Sequence, residues 1–189
     1  MSEFPSAQDR ESRALELKAY LRRHMSQGNP ELRKLVLENG RFVVRSSAQL
    51  QETFDLDAVR EEFRQLGFHS VVSNQRERGK PFVRFLSPPN GPLTLYRGCY
   101  PGAERRMSWT TDPVMANTYR AAYGGPVGRV MKVTIDGNDA FARYSFDKEY
   151  LIDPDTVTPL DVTAEVEHLG RYVVNRDFSY GEIIAYQKF

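Results

Sequence analysis

The sequence predicts an α+β protein, helical in its first half and rich in short strands in its second. Three observations carry that expectation. Apolar residues recur at helical spacing before residue 67, a segment with three prolines and one glycine (Ser87-Pro88-Pro89-Asn90-Gly91-Pro92) interrupts the chain, and short apolar or β-branched runs follow it. At 189 residues the chain is long enough for one ordinary domain, or for a domain with a substantial extension. The proline-rich segment divides it into residues 1–90 and residues 91–189.

In the first part, Leu17, Tyr20, Leu21 and His24 share one face of a predicted first helix. Asn29-Pro30 offers an N-cap and a first-turn proline for a second helix that ends near Gly40. Leu56, Val59, Phe63 and Leu66 place a third, which Gly67 stops in the left-handed manner. Residues 68–73 and 81–86 read as a β-hairpin around the polar span 75–79. Arg76, Arg78, Lys80 and Arg84 make that hairpin basic, which suits phosphates or an acidic partner, although a solvated surface is the commoner use of such a cluster.

Beyond the break, strands are expected at residues 93–97, 129–135, 150–153, 164–168, 172–175 and 182–189. One helix interrupts them. Thr111 or Asp112 caps it, Pro113 occupies its first turn, and Met115, Thr118, Tyr119 and Ala122 form its buried side. There is no internal repeat and no low-complexity tract.

The composition is that of a soluble globular protein, with 40% hydrophobic and 27% charged residues. No run approaches the roughly 20 apolar residues of a membrane-spanning helix, and the polar residues 1–10 do not resemble a secretory signal, so a cytoplasmic protein is expected. One cysteine, Cys99, permits neither an internal disulfide nor a multi-cysteine metal site. The histidines His24, His69 and His168 are too scattered to suggest metal ligation. A net charge of +1 argues against strong non-specific attraction to nucleic acid.

Three segments of the second half carry candidate chemistry. In Leu93-Thr94-Leu95-Tyr96-Arg97-Gly98 an arginine follows alternating strand residues, and a glycine lets the chain turn after it; a guanidinium fork there suits bidentate contact with phosphate. In Met107-Ser108-Trp109-Thr110-Thr111-Asp112-Pro113 a strand runs into a capped helix, so Ser108 and Thr110 face one side and Trp109 the other. In Asp147-Lys148-Glu149-Tyr150-Leu151-Ile152 two carboxylates at spacing two precede an apolar strand. Taken singly, each has an ordinary structural use: a surface ion pair, helix capping, an acidic surface turn.

In their order along the chain these segments resemble the Arg-Ser-Glu class of ADP-ribosyltransferases, the cholera-toxin-like fold that bacterial effectors and phage-encoded enzymes share. The resemblance rests on Tyr96-Arg97, Ser108-Trp109-Thr110 and Asp147-Lys148-Glu149, and covers roughly residues 93–189. It implies a split β-sandwich of two mainly antiparallel sheets, with NAD+ bound as substrate in the cleft between them and no metal. It further implies that Arg97 holds the dinucleotide phosphate, that Ser108 hydrogen-bonds to the catalytic Glu149, and that Tyr96, Gly98, Trp109 and Thr110 complete the NAD+ site. Glu149 would accept a hydrogen bond from the nicotinamide ribose, opposing the positive charge that grows there as nicotinamide departs. Asp147 departs from the longer Glu or Gln that positions the acceptor in arginine-modifying members. The implied activity is transfer of ADP-ribose to a macromolecular acceptor, a protein side chain before nucleic acid. An NAD+ glycohydrolase of the same fold and a catalytically silent interaction module are the alternative readings, and residues 1–90 carry none of the resemblance.

Overall fold

The computed structural model describes residues 6, 10–14, 33–38, 41–46, 56–72, 82–144, 148–175 and 182–187. The chain divides into two compact units, Met1–Ser87 and Pro88–Phe189. It is a mixed α+β chain with mostly antiparallel strands. No described helix is long and apolar enough to cross a membrane.

In the first unit, residues 10–14 are helical, while the expected helix over Leu17 to His24 lies outside the described residues. The second expected helix is instead a hairpin. Strand β1 (Arg33–Glu38) pairs with β2 (Arg41–Ser46) in unbroken antiparallel register from Arg33↔Ser46 to Glu38↔Arg41. Asn29-Pro30 is a legitimate helix-start signal, but Val36, Phe42, Val43 and Val44 favour extended backbone, and pairing supplies both segments with hydrogen bonds. Asn39-Gly40, the dipeptide best suited to a two-residue hairpin connection, separates them in the sequence.

The third helix forms where its spacing predicts, as α1 (Leu56–Leu66), with Val59, Phe63 and Leu66 buried along one face. Gly67 ends it at φ 69° and donates its N–H to the Phe63 carbonyl at 3.1 Å. The predicted hairpin follows as β3 (His69–Val72) against β4 (Phe82–Phe85), in register from His69↔Phe85 to Val72↔Phe82. Arg84 on β4 is exposed, and the basic span around Arg76, Arg78 and Lys80 lies outside the described residues.

In the second unit the strands run β10-β7-β5-β6-β9-β8, every neighbour antiparallel. They are β5 (Pro92–Cys99), β6 (Ser108–Thr110), β7 (Arg129–Asp136), β8 (Ala140–Tyr144), β9 (Glu149–Ile152) and β10 (Leu160–Asp161). The seam of the unit is β5 against β7, paired from Pro92↔Asp136 to Cys99↔Arg129. Leu95, Cys99, Met131, Val133 and Ile135 bury one face of that pair, while on the other Thr134 is exposed. That second face is covered where α2 (Pro113–Tyr119) and α3 (Thr163–Val166) cross it: Ala116, Val130, Val162 and Val166 form a buried cluster, with Tyr96 and Leu169 packed against it.

One expectation needs correcting here. Residues 164–168 are helical rather than extended, because Asp161 accepts hydrogen bonds from both the N–H and the hydroxyl of Thr163, and Val162 and Val166 then bury at helical spacing. The strands carrying the three motifs are hydrogen-bonded neighbours in one order, and β11 (Arg171–Asn175) with β12 (Glu182–Gln187) forms a separate two-stranded sheet.

His69 generates a prediction for the first unit. Its ring is fully buried, 6.2 Å from the ring centroids of both Phe63 and Phe85, and Nδ1 donates to the Gly67 carbonyl at 3.0 Å. Among the described residues Nε2 is buried with no hydrogen-bond partner, and burial holds the imidazole below its ordinary 6.5. As pH falls below 6.5 the unfolded chain therefore protonates first, and folding stability drops by up to about 1.4 kcal/mol per pH unit until the folded ring titrates. Urea midpoints at pH 7.5 and 5.5 should show this loss in the wild type and a shallower one in His69→Leu; identical slopes would place the sensitivity elsewhere.

Candidate functional site

Strands β5 and β6 share the single register pair Tyr96↔Thr110, and past that point a side chain replaces the ladder. Arg97 donates from Nη1 to the Ser108 carbonyl at 2.7 Å and from Nε to the Ala103 carbonyl at 3.0 Å. It thereby fastens the β5–β6 loop at its middle and at its end. Trp109 fastens the same loop through Nε1, which donates to the Arg106 carbonyl at 2.6 Å. A guanidinium carries five N–H groups, so these two bonds fix Arg97 without exhausting its donors.

Burial pulls the Arg97 guanidinium down from its ordinary value to about 10, the Arg106 charge pushing the same way and Cys99, Glu149 and Tyr100 opposing it. Arg97 stays cationic at neutral pH, with a second guanidinium close enough to be felt. Burial also pushes the Cys99 thiol up, so the cysteine next but one to Arg97 is a core residue.

On the other side of β6, register brings the second and third motifs together. Pairing runs Ser108↔Leu151, Trp109↔Tyr150 and Thr110↔Glu149, so Ser108, Thr110 and Glu149 share a face. Ser108 and Glu149 are diagonal neighbours on that face, and the Ser108 hydroxyl donates to Glu149 Oε1 at 2.5 Å. Both are half-buried. Tyr96, Thr110, Glu149 and Tyr144 form a transverse row across four strands, each pairing with the next.

The chain enters β9 through Lys148, whose φ of 48° is unusual for a residue with a side chain. Backbone and side chain both hold it there. Its carbonyl accepts from the Thr111 N–H at 3.1 Å, and its Nζ donates to Asp112 Oδ2 at 3.1 Å. Asp112 is also the N-cap of α2, with Oδ1 accepting from the N–H groups of Val114 and Met115. The Thr110 hydroxyl accepts from the Asp112 N–H at 3.1 Å. The predicted cap and first-turn proline are both present, but the buried face of α2 is Met115, Ala116, Asn117 and Thr118, whereas Ala122 is exposed on a π-helical turn over Arg120–Gly124.

Arg97, Ser108 and Glu149 thus converge on three successive strands and are partly accessible. Tyr96 is half-buried against the α2 and α3 cluster. Trp109 is 1% exposed on the opposite face, and Thr110 is 3% exposed; both support the site from within. Asp147 lies outside the described residues. Gly98 has a packing role: a Cβ there would stand 1.8 Å from the Ala116 carbonyl oxygen and 2.4 Å from the Arg120 nitrogen, so only glycine lets α2 cross β5 beside Arg97. Arg106 is a residue that the sequence reading misses; the adjacent pair Arg105-Arg106, just before Met107-Ser108, is the signal that could have found it.

Comparison with protein-family models, with curated proteins and with solved structures returned no match. Gly98→Ala should lower the melting temperature through overpacking that typically costs about 1–3 kcal/mol. An unchanged melting curve would mean that α2 does not press on β5 as described.

Proposed function

We propose that the unit spanning residues 88–189 binds NAD+ and transfers its ADP-ribose to a macromolecular acceptor, releasing nicotinamide. The observation that carries this reading is the linkage through Ser108: its carbonyl bonds to Arg97 and its hydroxyl to Glu149. A cation and a half-buried carboxylate are thereby held on either side of one serine. The split-sandwich fold of the Arg-Ser-Glu class belongs to the same proposal, supported by the near-absence of pairing between β5 and β6.

The residues fit the donor. Arg97, with N–H groups beyond the two already engaged and Arg106 beside it, would take the pyrophosphate. Glu149, oriented by Ser108, would accept from a ribose hydroxyl and oppose positive charge at the anomeric carbon. The glycosidic bond to the pyridinium nitrogen breaks with its electron pair leaving on neutral nicotinamide. A lone pair of the acceptor forms the new bond to that carbon, and the acceptor's proton passes to a base or to solvent. Asp147, two residues before Glu149, would act on the acceptor side. The donor needs no metal for this step, since a positively charged pyridinium is already a good leaving group.

Glu149→Gln keeps the size and one carbonyl oxygen but removes the charge. NAD+ affinity should be nearly unchanged, and nicotinamide release should fall by about two to three orders of magnitude, the scale of a lost preorganised electrostatic contact. Asp147→Asn should depress acceptor labelling more than nicotinamide release. Labelled NAD+ incubated with cell lysate, with nicotinamide measured in parallel, reads both. A folded Glu149→Gln protein with wild-type rates would end the assignment of Glu149, and release without labelling would favour hydrolysis.

Arg97→Lys should bind NAD+ more weakly, because an ammonium cannot serve two carbonyls and a phosphate with a planar fork. Calorimetry on a variant shown to be folded by circular dichroism gives the comparison; equal affinity would remove Arg97 from the donor site.

A further inference from the structure

We propose that Arg106 makes the donor site select a dinucleotide over a mononucleotide, by taking the phosphate that Arg97 does not serve; this rests on the NAD+ reading above. Arg97 has two of its five N–H groups engaged, Nε with the Ala103 carbonyl and Nη1 with that of Ser108. The three that remain, on Nη1 and Nη2, suffice for one bidentate grip on a phosphate. A pyrophosphate brings a second phosphate and a second negative charge. Arg97 alone leaves both unmet.

Arg106 stands where a second cation is needed. It lies between the two carbonyls that Arg97 grips, three residues after Ala103 and two before Ser108, so its Cα is at most roughly 7 Å from that of Ser108. Its own carbonyl accepts from Trp109 Nε1 at 2.6 Å, and Trp109 and Met107 are both buried, so the backbone that carries it is pinned to the core. The side chain is half-buried, and its charge is felt at Arg97.

That charge is uncancelled. Among the described residues the Arg106 guanidinium has neither a hydrogen bond nor an ion pair. Glu104, the carboxylate of the same loop, lies 3.8 Å from Arg129 instead. Two guanidinium groups on a loop fixed at the carbonyls of Ala103, Arg106 and Ser108 oppose each other's charge, and a doubly charged anion relieves both at once. Arg105, the neighbouring cation, is exposed and provides the comparison for a charge that merely raises the local potential.

Calorimetry on the full chain with NAD+, ADP-ribose, AMP and nicotinamide mononucleotide tests this in wild type, Arg106→Ala, Arg106→Lys and Arg105→Ala. Arg106→Ala should raise the Kd for NAD+ and ADP-ribose about ten-fold or more and leave the two mononucleotides nearly unchanged. Arg106→Lys, which keeps the charge, should recover part of the loss, and Arg105→Ala should leave all four ligands as in wild type. Trp109 bonds to a backbone carbonyl that any residue supplies, so Arg106→Ala should melt like wild type. Wild-type protein that binds no NAD+ overturns the donor reading, and the Arg106 assignment with it. NAD+ binding that is present in wild type and unchanged in Arg106→Ala overturns the assignment alone. So does a loss of equal size for the mononucleotides or in Arg105→Ala, either of which would reduce Arg106 to a general source of positive charge.

Discussion

Where β5 and β6 part, the Arg97 guanidinium takes over work that backbone N–H groups do elsewhere in the sheet. Its bonds to the Ala103 and Ser108 carbonyls hold the connecting loop at its middle and at its end. A buried carbonyl without a donor costs about 1–3 kcal/mol, so those two acceptors fix the arginine as firmly as it fixes the loop. The cation is itself held at a cost, since burial lowers the guanidinium to about 10 by penalising its charged form. A phosphate of the proposed ligand would return part of that cost.

Asp112 sets the opposite side of the site. One oxygen caps α2; the other accepts from Lys148 Nζ and from the Tyr172 hydroxyl at 3.2 Å. A single carboxylate therefore joins the start of a helix, the turn into β9 and the first residues of β11. The left-handed backbone of Lys148 opposes this arrangement by roughly 1–2 kcal/mol, and the ion pair with the Thr111–Lys148 backbone bond offsets it. The outcome is that Glu149 opens its strand with its backbone already fixed, before Ser108 orients its carboxylate.

What was legible in the sequence was local. The Gly67 stop, the Asp112 cap with Pro113 behind it, and the parity that puts Trp109 opposite Ser108 and Thr110 each depend on a few consecutive residues and on backbone geometry. What was not legible depended on partners. Residues 33–38 carry a helix-start signal just before them, yet they pair with residues 41–46, and pairing outweighs a cap. Residues 164–168 look extended until Asp161 gathers Thr163 and the valines find the Ala116 cluster. The ordered motifs indicated which residues to watch, but their adjacency on β5, β6 and β9 is a property of the strand order. The closeness of Arg106 to Arg97 is likewise a property of a folded loop.

Ser108 also lies between opposite charges. Arg97 and Glu149, on strands either side of β6, are near enough for the charge of one to be felt at the other. The serine presents its carbonyl to the cation and its hydroxyl to the anion, so each is oriented by a neutral group. Trp109, buried behind it, stops the serine from shifting, since the loop it anchors at Arg106 is the one Arg97 grips at Ala103. The proposed ligand would meet both groups across that one serine, its phosphate at Arg97 and its ribose at Glu149, so the position of a single small residue would set the spacing of the two contacts.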